Sequence, residues 1–221
     1  MNIAVLVFNP VQENTYILWD ETSECVIIDA GNFGANEDSA LENFITSKGL
    51  KPVMAINTHG HFDHTMGVEF VKSRYNVPFA VSSQDNYLFE AMPEGTNVYG
   101  FTLGKMPKGG DIDLDTTEEL KFGNTTLQVI KTPGHTPGQV SLYEPQNKVL
   151  FTGDTLFKES IGRTDLPGGD YPQLMDSILN KIVPLGDEVT VYPGHSSSTT
   201  IGHETLYNPF VVEVIQGQIK Y

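Results

Sequence analysis

Residues 58–64 read THGHFDH and hold three of the six histidines of the chain. They come directly after residues 53–57, a short and mostly apolar run that predicts a buried strand. The cluster therefore stands just past a strand end, where open α/β folds place their ligands. Neutral imidazoles and carboxylates are typical ligands of Zn²⁺, and also of Fe and Mn. We interpret this stretch as part of a metal site rather than as a hydrogen-bonded polar loop.

Three further residues of ligand type stand in loops that are flanked by Gly or Pro. The segments are TPGHTPG at 132–138, FTGD at 151–154 and PGH at 193–195. With the first cluster they give seven candidate metal ligands: His59, His61, Asp63, His64, His135, Asp154 and His195. A structural zinc site needs four ligands and favours cysteines, whereas this chain has Cys25 alone. Two adjacent metal ions with Asp154 between them account for the surplus, and such a pair can activate water and stabilise an oxyanion, so hydrolysis is the predicted chemistry.

Strands and helices alternate along the chain, and the same order occurs twice. In the first half we predict strands at 3–8, 15–19, 25–29, 53–57 and 79–81, a helix capped by Asp38 and ended by Gly49, and a helix at 66–74. In the second half we predict a hairpin of 139–143 with 148–152, a helix over 174–182 and a strand at 189–192. This order predicts an α/β fold of two related βα halves, packed sheet against sheet with helices outside. Residues 94–119 are predicted to form a long loop, and residues 1–221 a single domain.

Composition and charge exclude several classes of partner. The net charge of −15 disfavours nucleic acids and anionic membranes, which are bound mainly through basic residues. No basic residue precedes Lys48, and the apolar run near the start is far shorter than the roughly 18 residues of a membrane helix, so neither a leader peptide nor a membrane span is predicted. The single cysteine favours a reducing compartment, and we expect a cytoplasmic protein.

The ligand motif and its order resemble those of the metallo-β-lactamase-fold superfamily over essentially the whole chain. Within that superfamily the chain is similar to glyoxalase II-type thioesterases (hydroxyacylglutathione hydrolase-like proteins), and in particular to their short single-domain bacterial relatives. The segments at 160–167 and 198–210 carry this closer similarity. The resemblance implies an αββα sandwich and two divalent metal ions, zinc being favoured over iron or manganese. It implies that one ion is held by His59, His61 and His135 and the other by Asp63, His64 and His195, with Asp154 shared and Asp63 orienting a metal-bound hydroxide.

The resemblance implies a small-molecule substrate, a thioester, whose thiolate leaves readily because the pKa of a thiol is near 8.5. Full-length glyoxalase II enzymes grip glutathione with a basic C-terminal helical domain, whereas Lys220 is the one basic residue after His195 here. The sequence therefore does not identify the thiol half of the substrate. An alternative is a persulfide dioxygenase of the same superfamily, in which a single iron would be held by His59, His135 and Asp154. Those enzymes also carry a segment like GRTD at residues 162–165, so this motif does not distinguish the two activities. Metal content and oxygen consumption would distinguish a hydrolase from a dioxygenase.

Two residues are candidates for substrate binding. Arg163 either positions the substrate or forms an ion pair with Asp165 or Asp170, and the sequence favours neither. Tyr99, in the middle loop with Phe101, either lines the substrate pocket or packs within its loop.

Plainer interpretations apply to two further residues. Asp29 ends a predicted strand and is expected to support a ligand rather than to bind metal. His203 is expected to be a surface or helix-terminal histidine.

Overall fold

Two six-stranded sheets form the centre of the computed structural model, which describes residues 1–217. The first sheet contains, in order, β1 (Asn2–Phe8), β2 (Glu13–Trp19), β3 (Glu24–Ile28), β4 (Lys51–Ile56), β5 (Phe79–Val81) and β8 (Ile112–Asp113). The second contains β9 (Glu119–Phe122), β10 (Thr125–Lys131), β11 (Val140–Glu144), β12 (Val149–Gly153), β15 (Thr190–Pro193) and β16 (Thr199–Thr200). Two small hairpins stand outside the sheets, namely β6 (Asn97–Val98) with β7 (Phe101–Thr102), and β13 (Leu156–Phe157) with β14 (Ser160–Ile161).

The helices lie mainly between strands of the same sheet. They are α1 (Gly34–Lys48), α2 (Phe62–Thr65), α3 (Val68–Tyr75), α4 (Asn86–Ala91), α5 (Tyr171–Ser177), α6 (Ile201–Tyr207) and α7 (Pro209–Ile215). In each half an antiparallel hairpin is followed by a helix and then by a parallel strand: β3–α1–β4 in the first half and β12–α5–β15 in the second. The prediction of an α/β fold with two related halves is confirmed. None of the helices within residues 1–217 is both long enough and apolar enough to cross a membrane.

Alternation along the strands divides the core into layers. In β2, Ile17 belongs to the cluster with Leu41 of α1, whereas the next residue, Leu18, belongs to the cluster with Leu142 of the second sheet. Successive side chains of a strand point to opposite faces, so each sheet packs on helices with one face and on the other sheet with its opposite face. A third cluster packs α5 on the outer face of the second sheet. The αββα sandwich implied by the resemblance is confirmed.

The structure corrects three of the predicted elements. The first helix begins at Gly34, four residues before the predicted cap at Asp38, because Glu37 rather than Asp38 accepts the N–H of Phe33 at 2.7 Å. The helix predicted over 174–182 begins at Tyr171 and passes into a π-helical turn at Ile178–Ile182.

The third correction concerns the predicted loop at 94–119, which contains β6, β7 and β8. The hairpin of β9 and β10 that follows it was not predicted at all. Lys220, which the sequence analysis singled out, lies outside the described residues.

Candidate metal centre

All seven candidate ligands follow strand ends that meet at one edge of the sandwich. His59 follows β4, His61 caps α2, and Asp63 and His64 lie within α2. His135 lies between β10 and β11, Asp154 follows β12 and His195 follows β15. The structure brings the side chains of all seven together, and we refer to these residues as the metal cage.

Three histidines form the first half of the cage. The Nδ1 atom of His61 lies 3.1 Å from Nε2 of His59 and 2.8 Å from Nε2 of His135. The three ligand nitrogens all lie within 4.8 Å of one another. Three imidazole nitrogens gathered this closely are the donor set that a cation with three histidine ligands requires.

The second half of the cage combines an acid with two histidines. Oδ2 of Asp63 lies 3.3 Å from Nε2 of His195 and 3.7 Å from Nε2 of His64.

Asp154 faces both halves. Its Oδ1 lies 3.4 Å from Nε2 of His64, and its Oδ2 lies 3.5 Å from Nε2 of His135. The second oxygen is also 3.8 Å from Nε2 of His195. A carboxylate placed between two groups of ligands is suited to bridging two metal ions.

Hydrogen bonds on the far side of the rings fix which nitrogen faces the cage. Nδ1 of His135 donates to the carbonyl of Arg163 at 2.7 Å, and Nδ1 of His195 lies 3.2 Å from the carbonyl of Gln12. A carbonyl can only accept, so each Nδ1 carries the proton and each Nε2 presents its lone pair to the cage.

Asp29 orients the rings of two other histidines, one directly and one through a threonine hydroxyl. Its Oδ2 lies 3.1 Å from Nδ1 of His64 and accepts the Thr58 hydroxyl at 2.7 Å. That hydroxyl lies 3.1 Å from Nδ1 of His59 and can accept its proton. The main-chain N–H of Thr58 donates to the remaining oxygen, Oδ1. Since both oxygens of Asp29 are occupied, its position agrees with the expectation of a supporting residue.

Two buried atoms of the cage face each other without forming a hydrogen bond of good geometry. They are Nε2 of His64 and Oδ1 of Asp154, which lie 3.4 Å apart as an ion pair. Gly194 approaches the same point so closely that a Cβ there would lie 2.3 Å from Oδ1 of Asp154. Imidazole and carboxylate groups that gather here without satisfying one another's hydrogen bonds are the donor set that divalent metal ions require.

The electrostatics favour the protonation state that a metal ligand needs at His59, His61 and Asp154 and oppose it at His64. Burial lowers the pKa of His61 to about 4 and that of His59 well below its usual value, so both rings are neutral at pH 7. Burial alone would raise the pKa of Asp154, but His64 and the other histidines outweigh it and hold that pKa well below its ordinary value. Burial alone would lower the pKa of His64, yet the carboxylates around it, those of Asp154 and Asp63 first, raise it well above its usual value. Metal binding must therefore displace a proton from this ring.

Asp85 is a buried acid that the sequence analysis missed. Its carboxylate accepts the N–H of Gly60 at 2.9 Å, the Thr136 hydroxyl at 2.8 Å and the N–H of Gly138 at 2.8 Å. It thereby joins the loop of His59 and His61 to the loop of His135. No motif marks it, because two of its three partners are main-chain groups distant in sequence.

A cleft of about 600 Å³ opens beside the cage. Apart from cage residues it is lined by Val11, Phe62, Tyr87, Leu88, Ala91, Met92, Val98, Tyr99, Phe157, Ile161, Arg163, Leu166 and Pro167. Both predicted substrate-binding candidates, Tyr99 and Arg163, thus lie on this cleft. His203 lies elsewhere, 2.9 Å from the carboxylate of Glu159.

Comparison with known proteins identifies similar chains. The model of the family described as the metallo-beta-lactamase superfamily matches residues 8–195. The hydroxyacylglutathione hydrolase GloC of Haemophilus influenzae is 36% identical over 220 residues, which cover 96% of this chain and 98% of that protein.

Two crystal structures share the fold over nearly their full length. The B3 metallo-beta-lactamase BLEG-1 superposes with a TM-score of 0.85 at 35% identity, covering 95% of this chain and 99% of that one. TTHA1623 in a di-iron-bound form superposes with a TM-score of 0.82 at 32% identity, covering 94% and 99%.

Proposed function

We propose that this chain, which belongs to the metallo-beta-lactamase superfamily, is a dinuclear metal-dependent hydrolase that cleaves thioesters. The single observation that carries the proposal is the position of Asp154, whose two oxygens face the two groups of histidines at 3.4 and 3.5 Å. The similarity to a hydroxyacylglutathione hydrolase supports a thioester rather than another acyl compound as substrate.

In this proposal His59, His61 and His135 hold one ion, Asp63, His64 and His195 hold the other, and Asp154 is shared. Divalent ions at such a site supply Lewis acidity, which lowers the pKa of water toward 7 and polarises an acyl carbonyl. Zinc is the proposed metal, and iron is an alternative because a similar protein binds two iron ions.

The residues of the chain orient the reactants. Asp63 is an acid that lines both the cage and the cleft, so it can orient the attacking water and hold its proton. The water oxygen bonds to the acyl carbon, the C–S bond breaks and the sulfur leaves with the electron pair. A thiolate is a good leaving group at neutral pH, so no separate general acid is required.

Metal analysis and activity together test the proposal. We expect the purified protein to contain two metal ions per chain by mass spectrometry and to hydrolyse at least one thioester of a panel that includes S-lactoylglutathione and thioesters of N-acetylcysteamine. One iron per chain, with oxygen consumed on glutathione persulfide, would instead favour the dioxygenase. A β-lactam and a lactone belong in the same panel, because opening of either ring in preference to thioesters would overturn the thioester proposal.

Two histidine variants provide a matched comparison. His195→Asn removes one cage ligand, and we expect it to lower the metal content toward one ion and kcat/KM by at least 100-fold. His203→Asn changes a histidine that pairs with Glu159 outside the cage, and we expect it to leave both values unchanged. Equal effects of the two substitutions would contradict the assignment of His195.

A further inference from the structure

The walls of the cleft are apolar away from the metal cage. On one side stand α4 and the residues after it, with Leu88, Ala91 and Met92. On the other side stand Phe157, Ile161, Leu166 and Pro167, from the β13–β14 hairpin and the segment that follows it. One end of the cleft is thus strongly polar and the remainder is a slot with aliphatic and aromatic walls.

Charged groups are scarce in this slot. Arg163 is the only charged residue outside the cage among the described residues that line the cleft, and its guanidinium makes two hydrogen bonds to Asp165, at 2.7 and 2.8 Å. The hydroxyl of Tyr87 donates to the carbonyl of Pro167 at 2.9 Å. A charged substrate group entering the slot would lose its hydration without gaining a free counter-ion.

An aromatic residue stands at the rim of the slot. Tyr99 lies at the tip of the β6–β7 hairpin, and its ring lies 6.4 Å from that of Phe62, which directly follows His61 in the chain. The side chain of Tyr99 is 77% exposed. Asp165 first, and then Tyr99, interact with Arg163 and raise its pKa. The rim of the slot therefore offers an aromatic face beside the ion pair of Arg163.

We infer from this lining that the group which the substrate places in the slot, beyond the scissile bond, is apolar and uncharged. This inference rests on the proposed hydrolase function and narrows its substrate class. The glutathione tripeptide carries two carboxylates and an ammonium group, whereas Arg163, which is already paired with Asp165, is the only charged side chain outside the cage that the described residues of the slot offer them. An alkyl or aryl group would instead be removed from water against Leu88, Met92 and Leu166. The apolar group can belong either to the acyl half or to the thiol half of the thioester.

Binding of thioethers tests the slot without requiring any reaction, because a thioether cannot be hydrolysed. We would titrate the purified metal-loaded protein calorimetrically with S-methyl, S-butyl and S-octyl derivatives of N-acetylcysteamine, and with S-methylglutathione. We expect the affinity to rise about fourfold with each added methylene until the slot is filled, with a negative heat-capacity change. Tighter binding of S-methylglutathione than of the S-butyl compound, or no dependence on chain length, would overturn the inference.

Turnover then identifies the half of the substrate that occupies the slot. One series varies the acyl group from acetyl to octanoyl on N-acetylcysteamine, and the other varies the thiol on a constant acetyl group. We expect kcat/KM to rise with chain length in one of the two series. If no thioester reacts while the thioethers bind as expected, the proposed reaction fails and the inference about the slot stands.

A pair of leucine variants supplies the control. Leu166→Gln places an amide on the wall of the slot, and we expect it to weaken binding of the S-octyl compound by about tenfold or more while S-methylglutathione is little affected. Leu206→Gln makes the same change on α6, where the side chain is 69% exposed and outside the slot, and we expect no change. Met92→Gln serves as a second slot variant, so that a folding defect in one of them cannot decide the result. Unchanged S-octyl affinity in both slot variants would contradict the inference.

Discussion

At the scale of single residues, Tyr99 adopts a backbone conformation that its side chain disfavours. Tyr99 and Gly100 form the two-residue turn between β6 and β7, with φ of 48° and 89°. Positive φ at both positions is typical of a type I′ turn, for which Asn-Gly is the preferred pair. A bulky residue at the first position costs roughly 1–2 kcal/mol, and we propose that the ring is kept there for substrate binding at the rim of the cleft.

Replacement of Tyr99 by Asn should separate stability from substrate binding. Asn tolerates the left-handed conformation, so we expect Tyr99→Asn to keep or raise the melting temperature, by about 2–4 °C if about 1 kcal/mol is regained. Because the substitution removes an aromatic ring from the rim of the slot, we expect KM for an apolar thioester to rise several-fold while kcat changes little.

The control for this experiment is Tyr207→Asn, which changes a tyrosine that is 63% exposed and outside the cleft. Thermal unfolding and steady-state kinetics on both variants provide the measurement. A lower melting temperature or an unaltered KM in Tyr99→Asn would show that the ring serves the fold rather than the cleft.

Asp85 is the other residue whose role can be tested alone. Asp85→Asn keeps the size of the side chain, but its NH₂ group cannot accept from the N–H of Gly60 or Gly138. The two loops that carry the first three histidines would then lose their common anchor, and we expect metal affinity at that half of the cage to fall about 10- to 100-fold.

Titration against a competing chelator measures the metal affinity of Asp85→Asn. Asp115→Asn is the matched control, since within residues 1–217 the carboxylate of Asp115 accepts hydrogen bonds from Ser82, Ser83 and Gln84 on the same segment and from neither loop. Equal metal affinity in wild type and Asp85→Asn would rule out the positioning role.

At the scale of elements, sequence periodicity predicted those parts of the fold that bury an unbroken apolar run. β3 is an example, since Val26, Ile27 and Ile28 are all buried. It failed for β9 and β10, where buried Leu120, Phe122 and Leu127 alternate with exposed polar residues and the strands flank a two-residue turn. An alternation this short resembles an amphipathic loop until its partner strand is known.

The residues of the candidate site also fall into those that the sequence predicted and those that it did not. The cage histidines could be predicted because their spacing lies within one short segment or beside Gly and Pro. The roles of Asp85 and Thr58 could not be identified, because Asp85 joins two distant loops and Thr58 is oriented by its hydrogen bond to the distant Asp29. The lining of the cleft could not be predicted from the sequence either, since it combines α4 with two separate hairpins.

Asp20 connects one hairpin of each sheet and makes their contact pH-dependent. It lies in the turn between β2 and β3 and accepts hydrogen bonds from Thr22, from the N–H of Asn124 at 2.6 Å and from Thr125. Burial alone would raise the pKa of Asp20, but these hydrogen bonds outweigh it and lower the pKa to about 2. Because the pKa is lowered on folding, the stabilisation is complete above the unfolded value near 4 and is lost as the pH falls through 2.

We therefore expect Asp20→Asn to lower the free energy of unfolding at pH 7 by roughly 1–3 kcal/mol. The difference from wild type should shrink as the pH is lowered from 4 to 2, as measured by urea unfolding at each pH. Glu118→Gln, at an exposed acid near β9, is the control and should show no such difference. A deficit that persists unchanged at pH 2 would contradict the assignment.

At the scale of the whole molecule, the cage draws on both halves of the sandwich. Four of its residues belong to the loop after β4 in the first half, and the other three follow strands of the second sheet. Ions that bind only when these loops are together stabilise the folded state as a unit. The first half also donates a hydrogen bond from the hydroxyl of Tyr16 in β2 to the carbonyl of Pro193 in the second half, which holds the two sheets together at the same edge.

Removal of metal should therefore lower the stability of the entire chain. A ligand present at 100 times its Kd adds about 2.7 kcal/mol, so we expect a chelator to lower the melting temperature by roughly 5–10 °C in one cooperative transition. Differential scanning calorimetry with and without chelator gives the measurement. The double variant Asp154→Asn/His195→Asn should be insensitive to the chelator, and a wild-type transition that does not move would contradict the coupling of the two halves through the cage.

The hydrogen bonds that orient His135 and His195 end on main-chain carbonyls, those of Arg163 and Gln12. Every amino acid supplies the same carbonyl, so the identity of residue 163 can change without loss of the bond that orients the ligand beside it. Point mutations can therefore change the side chains at the rim of this cleft while the orientation of the metal ligands is retained. Substrate specificity can therefore change through few substitutions. Laboratory selection for altered specificity should concentrate its changes at position 163 and its neighbours on the rim.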